Sequence, residues 1–581
     1  MTPEQAFADM VAQGDVALDK LDECATRVPG KVFIYYGEDK VSITYVEFRD
    51  RIDRFAGGLL RAGVKPQEVV SVLTRNSLVS AIAMFGIWRA GCLFAPINFN
   101  FKGPQLSYQI ADTKPAALIT DPSFLEILVE IGSEIDVPRF LIHTPAAGDH
   151  DHTGAAFPAE FGKAEILSFV ELCACATKAP PIAPGPFDLA NIVYTSGTTG
   201  PSKGVLQSFR WINQYTFFLR ALTTEDDVIY CDLPLYHVGG AFALLVRAVW
   251  KGNTVGLWDR FSPTAFWNRI VECSASYAIL LDVMTPWLLG APPSDRDRDN
   301  TLRMVHMQPL PPNHHEVATR FGIDFVTAGF GQTESGNPFV GVIDELGSEG
   351  GASAGKRQGY GRPELRALCE KIGALVVDGA QKLPIGFMGR PSPLLEVAIL
   401  DQDDNRCAPG SVGQLCIRPR FPGLLLQEYF RKPEETLRSF RNLWFHTGDA
   451  CLEIPDDSGV FRFVDRMGGF FRVRGENVSS FEVEALISRH PKVQATAALP
   501  IPAAVGSEDD IVVFVQPVAG ERPTEEEIRA HAAAFMPKYM APRHIRIVDA
   551  LPVTPTNKVE KYKLKQQILE ELGRQAKATN G

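Results

Sequence analysis

Between about residue 40 and residue 260 the sequence keeps switching between two hydrophobic periods. Tyr45 to Ala62 places apolar residues at helical spacing, and Val69 to Thr74 is a short β-rich run. Ser80 to Ala90 is helical again, and Ala117 to Thr120 reads as a strand. Strands that alternate with helices pair through crossovers, which gives a parallel sheet with helices packed on its faces. The expected class is therefore α/β. A chain of 581 residues exceeds what one ordinary core holds, so two or more domains are expected.

The rest of the chain punctuates this pattern. Ala146 to Gly162 and Ala176 to Pro186 are rich in Ala, Pro, Gly and His and read as loops. A second irregular zone, 345–385, opens on Gly347, Gly350, Gly351 and Gly355 and contains a helix from Pro363 to Ile372. From Leu394 to Arg418 short strands alternate with turns, as in a small β-subdomain. After Asp465 the texture changes to βαβ-like pieces with a basic tail. The expected division is a large N-terminal domain over 1–464, a hinge at 465–469 and a smaller α+β domain over 470–581.

Composition excludes several functions. With a net charge of −11 the chain is a poor nucleic-acid binder, because phosphate affinity comes from clustered Lys and Arg. Met1 to Asp15 is polar and acidic and lacks the pattern of a secretory signal. The longest apolar stretch, Ala81 to Phe99, contains Arg89, Gly91 and Pro96, so it reads as a buried helix running into a strand rather than a membrane span. Ten scattered cysteines show no zinc spacing, and a reducing cytoplasm fits them.

The most chemical segment is Asn191 to Gly204, NIVYTSGTTGPSKG. A β-like entry runs into Thr195, Ser196, Gly197, Thr198, Thr199 and Gly200, then Pro201, Ser202 and Lys203. The glycines let backbone approach an anion, the hydroxyls can donate to phosphate oxygens, and Lys203 supplies charge. It is not a Walker A loop, since Ser202 precedes the lysine and Gly204 follows it.

This string resembles the phosphate-loop signature of the adenylate-forming superfamily, which includes acyl-CoA synthetases, peptide-synthetase adenylation domains and luciferases. Further segments resemble that family's motifs in order, over roughly 30–570. In AGFGQTES, Ala328 to Ser335, the resemblance implies that Gly329 and Phe330 lie along adenine, Thr333 contacts the α-phosphate and Glu334 holds Mg²⁺. In HTGD the resemblance implies that Asp449 takes the ribose hydroxyls, joined by Arg466 of Asp465-Arg466. In RVRGEN, Arg472 would lie near the acyl-adenylate, with Arg474 and Gly475 lining the CoA tunnel. In PVTPTNKVEKYKL the adenylation lysine maps to Lys558. His237 of LPLYHVGG stands where relatives place a gating residue, and Arg260 where they hold a basic residue near the CoA phosphates. Glu482, Glu484, Lys561, Lys563 and Lys565 are expected to be solvated charges.

The resemblance implies the fold of that superfamily, with a mobile C-terminal domain, and a ligase. The ligase would join a carboxylic acid to CoA through an acyl-adenylate, using ATP and Mg²⁺, without nucleic acid or integral membrane association, and a homodimer is open to it. RGENVSSFEVE and PTNKVEKY look most like the crotonobetaine/carnitine–CoA ligase branch. Asp282 and Trp287 of ILLDVMTPW would hold a cationic head group, or Asp282 would cap the following helix. The pattern departs at Phe330 for the usual Tyr, Arg472 for Lys, Asn557 for Gly and Gly468-Gly469 at the hinge. Bulky Met307 and Gln308 lie along adenine and the acyl pocket, and 341–385 looks longer than the family norm. A stand-alone loader of a carrier protein and a non-adenylating binder remain open as alternatives.

Overall fold

The computed structural model describes all residues except 180–181, 196–201, 348–350, 352–357, 457, 468–469, 474–475, 503–508, 554–558 and 580–581. Of the expected site residues, Ser196, Gly197, Thr198, Thr199, Gly200, Arg474, Gly475 and Lys558 lie outside the described residues, as does the Gly468-Gly469 pair.

The alternation in the first half builds two sheets. A seven-stranded sheet runs in the order Glu165–Ser168, Arg139–Ile142, Ala117–Thr120, Val69–Leu73, Leu93–Pro96, Leu189–Thr195 and Lys203–Ser208. All of its neighbours are parallel except the last two strands, which pair antiparallel and set Thr195 opposite Lys203. Every residue of Val69–Leu73 is buried, as expected of a parallel strand covered on both faces. The apolar stretch 81–99 is the helix Ser77–Arg89 running into the strand Leu93–Pro96. That helix is buried almost all round and capped by the Asn76 side chain on Val79 N at 3.0 Å. Among the described residues no helix is long and apolar enough to cross a membrane.

The second sheet has fourteen strands. Its parallel centre is Thr254–Leu257, Val228–Cys231, Tyr277–Leu280, Met304–Met307 and Phe325–Gln332. Beyond it the direction reverses at Gly336–Asp344. The expected small β-subdomain is joined to this sheet edge to edge. Phe387–Pro391 pairs with Gly336–Asp344 on one side and Phe461–Arg466 on the other, so the ladder continues into Phe445–Glu453, Gly413–Pro419 and Leu395–Leu400. The zone 345–385 adds a crossover: helix Arg362–Ile372 leads to Leu375–Asp378, which pairs parallel with Gly336–Asp344. Arg362 anchors it on Asp324 (3.1 Å) and Asp344 (3.2 Å).

The C-terminal part has a hairpin, Phe470–Val473 with Glu476–Ser479, and a three-stranded sheet of Val493–Pro502, Asp509–Pro517 and His544–Ile547. It closes its own core around Val483, Ile487, Val513 and Ile528. Asp465 ties this part on, its carboxylate accepting from Ser480 N and Ser480 Oγ, both at 2.7 Å. The expectation of solvated charges here fails for three residues. Glu484 accepts from Ala498 N (2.7 Å) and pairs with Lys561 (2.7 Å), and Glu482 pairs with Arg462 (3.1 Å). Their partners are near in space but distant in sequence, whereas Lys563 is exposed, as expected, beside Glu560 three residues away.

Candidate active site

Parallel α/β sheets leave a crevice at the carboxyl ends of their strands. Here Asp232, Asp282, Gln308 and Phe330 stand at or just past the ends of four neighbouring parallel strands. All four line one cavity of 3020 Å³. Thr195 and Lys203 from the other sheet border it, as do Asp449, Arg466, His237, Arg260 and residues 559–563 of the C-terminal part.

One end is polar. Glu334 faces the cavity, and its Oε1 accepts from Tyr429 OH at 2.9 Å. Burial pushes its carboxyl above the usual range, and the tyrosine hydrogen bond pulls against that. The Thr333 carbonyl accepts from Gln207 Nε2 at 2.8 Å, which fixes the turn before Glu334. Lys203 Nζ pairs with Glu435 at 2.9 Å and lies 4.9 Å from the centre of the Tyr429 ring.

Beside it, Asp449 is 1 % exposed and lies 3.1 Å from Arg466 Nε. The two are direct partners in the antiparallel ladder, which explains why a two-motif signature 17 residues apart forms one feature. Gln332 Nε2 donates to the Asp449 carboxylate and to Thr447 O at 3.0 Å. Phe330 stands edge-on to Phe339 with centroids 6.2 Å apart. Gly329 is required next to it, since a Cβ there would meet Phe339 O at 2.5 Å. Gln308 sits after a buried His306, whose Nε2 lies 3.2 Å from Gln308 Oε1 and whose Nδ1 lies 3.0 Å from Thr327 Oγ1. Burial pushes His306 down to about 4, so it is neutral at pH 7.

The other end is more apolar, with Tyr215, Leu219, Ala243 and Ile279 on the wall. His237 stands there with its ring 4.6 Å from that of Tyr236. Trp287 stacks on Phe261 at 5.8 Å, and Asp282 lines the same wall. The helix Thr285–Leu289 follows it, with Met284 at its N-cap. Arg260 is exposed at the rim. Arg472 lies in the hairpin strand Phe470–Val473, opposite Asn477.

Tyr429, Glu435, Gln207 and Gln332 were not legible in the sequence. Gln332 stands inside AGFGQTES, but Tyr429 and Glu435 reach Glu334 and Lys203 across 95 and 232 residues.

The AMP-binding enzyme family model matches residues 21–425, and the AMP-binding enzyme C-terminal domain matches 482–558. A crotonobetaine/carnitine–CoA ligase of Citrobacter koseri is 27% identical over 528 residues, covering 90% of this chain and 93% of the relative. One from Salmonella enteritidis is 28% identical over 532 residues, with the same coverage. Among solved structures, an anthranilate CoA ligase bound to anthranoyl-AMP superposes with a TM-score of 0.77 at 20% identity, covering 96% of this chain and 98% of the other. A benzoate CoA ligase from Burkholderia xenovorans does so at 0.74 and 20% identity, covering 94% and 99%.

Proposed function

Because the chain belongs to the AMP-binding enzyme family, we propose that it is an ATP-dependent carboxylic acid–CoA ligase working through an acyl-adenylate. The observation that carries this reading is the convergence of Lys203, Glu334, the Asp449–Arg466 pair and Phe330 on one cavity with an apolar extension. Each part suits one portion of the substrates. Phe330 offers a ring face to adenine. Asp449 is a carboxylate able to accept from two vicinal hydroxyls. Lys203 carries positive charge to the phosphates, and the apolar wall takes the acyl group.

No group of three or more His, Cys, Asp or Glu side chains suited to a metal lies among the described residues. The Glu334 carboxylate, which faces the cavity, fits a Mg²⁺ whose remaining ligands are phosphate oxygens and water, not a protein cage. Bound there, the ion would neutralise phosphate charge.

In the first step a substrate carboxylate oxygen attacks the α-phosphorus and pyrophosphate leaves with the electron pair of the broken P–O bond. Lys558 is assigned to steady the charge on the two reacting groups, which a mobile ammonium with three donors can do. In the second step the CoA thiolate attacks the adenylate carbonyl and AMP leaves. Arg472, Arg474 and Gly475 are assigned to that step, with His237 between the acyl wall and the thiol path and Arg260 toward the CoA phosphates. Residues 465–469 are assigned as the hinge that exchanges the two sets, and 1–464 and 470–581 as the bodies it joins. We assign the reaction to the cytoplasm, which supplies both ATP and CoA.

A pyrophosphate-release screen with ATP and Mg²⁺ tests the proposal. It spans short, long, aromatic and quaternary-ammonium acids, with and without CoA. Release dependent on one acid, with its acyl-CoA seen by mass, supports the ligase. Release without thioester redirects the reading to a carrier-protein loader, and silence from folded protein defeats it.

A further inference from the structure

The segment after Gly413–Pro419 has no part in the reading above, yet it binds two of that reading's key groups together. Residues 426–430 run beside the strand Lys203–Ser208. Leu206 N donates to Glu428 O (3.0 Å), Gln427 N to Leu206 O (2.9 Å) and Phe430 N to Gly204 O (2.7 Å). At its start Leu426 N donates to Glu334 O at 2.8 Å. The segment is therefore an added rung joining the base of the glycine-rich hairpin to the Glu334 turn.

Two side chains complete the connection. Tyr429 is 6 % exposed, its hydroxyl is on Glu334 and its ring face is toward Lys203. Its own amide donates to Thr436 Oγ1 at 2.9 Å, which fixes it against the helix Pro433–Ser439. From that helix Glu435 holds Lys203 Nζ by one oxygen, and Arg438 holds the other at 2.9 Å. A lysine loses much rotamer freedom when it is ordered. An ammonium has three donors, so one bond to Glu435 leaves two for phosphate.

We propose that Tyr429 and Glu435 are positioning residues of the nucleotide site. Tyr429 sets the Glu334 carboxylate, Glu435 sets the Lys203 ammonium, and the strap 426–439 keeps the two in register before ATP arrives. This rests on the assignment of Glu334 and Lys203 to metal and phosphate.

The test is calorimetric binding of α,β-methylene-ATP to the full chain, in Mg²⁺ and in EDTA, for wild type, Y429F, E435Q and E334Q. Y429F should lose about 5-fold of the affinity gained from Mg²⁺ while its affinity in EDTA holds. E435Q should weaken binding about 3-fold in both media. Neither should shift the KM for acid and CoA in the coupled assay. A full Mg²⁺ gain in Y429F, or binding to E435Q as tight as or tighter than wild type, overturns the proposal. Equal losses in every medium with a lowered Tm also overturn it, since that marks a merely structural strap. If E334Q keeps the whole Mg²⁺ gain, the metal assignment itself falls. If E334Q loses the gain and Y429F does not, the proposal falls while the metal assignment stands.

Discussion

Replacing Asp449 by asparagine isolates the ribose contact. The carboxylate is 2 % exposed in its side chain, whereas its partner Arg466 is 49 % exposed. Asparagine has the same shape and still offers an oxygen to Gln332, so packing is kept. Arg466 left without its partner is hydrated by solvent, and the stability cost is held to about 1 kcal/mol or less. The binding cost is larger. A hydrogen bond to a charged acceptor in a closed site contributes roughly 1.5–3 kcal/mol, so D449N should weaken ATP binding about 10- to 100-fold. The assay is a thermodynamic cycle by calorimetry with ATP and 2′,3′-dideoxy-ATP. Wild type should prefer ATP by about that factor, and D449N should bind the two within about 2-fold of each other. If D449N loses as much affinity for the dideoxy nucleotide as for ATP, the carboxylate does not read the ribose, and its role is only to hold Arg466.

Further outcomes are expected. K558A should abolish acid-dependent pyrophosphate exchange while keeping thioester formation from a synthetic acyl-adenylate, and surviving exchange would refute the assignment of Lys558. D282N should raise KM about 5-fold for a quaternary-ammonium acid and leave a neutral acid unchanged, as a charge contact beside the Trp287 ring requires; equal KM values for both acids would remove the cationic site. His150 is pushed up to about 9, first by its hydrogen bond to Asp259 at 2.8 Å and also by Asp39 at 3.0 Å, while burial opposes the shift. A raised folded value means its stabilisation is complete below the unfolded value and is lost as pH rises through about 9. Thermal melts of wild type should therefore fall between pH 7 and 9.5 more than those of H150N, and parallel curves would show that the loop carrying His150 is not held by charge.

Sequence determined the periodic elements, because local rules govern them. Tyr45–Arg61, with its Thr44–Glu47 capping box, carries its own start signal and its own apolar face. Val69–Leu73 and Ala117–Thr120 are apolar runs too short for helices. The glycine-rich loop, AGFGQTES and HTGD are likewise read from neighbours in the chain, which is why their assignment needs no tertiary partner. Sequence also placed the helix Arg362–Ile372 inside a zone that otherwise looked irregular. It could not say that this zone is a crossover docked by Arg362 on Asp324 and Asp344, since those carboxylates lie outside it in the chain. Nor could it show that the antiparallel strands continue the large sheet, because that depends on Phe387–Pro391 pairing on both edges. Charged residues were misread as solvated for a related reason. Whether Glu484 and Lys561 meet water or each other depends on a packing partner 77 positions away, and burial makes the pair necessary. Tyr429 shows the limit most clearly. Its sequence neighbourhood is an ordinary polar loop, and only the closing of that loop over two strands puts one phenol between a lysine and a carboxylate. Local periodicity and motif chemistry are properties of short stretches of chain, whereas the pairing of charges across long separations exists only once the sheets have closed on one cavity.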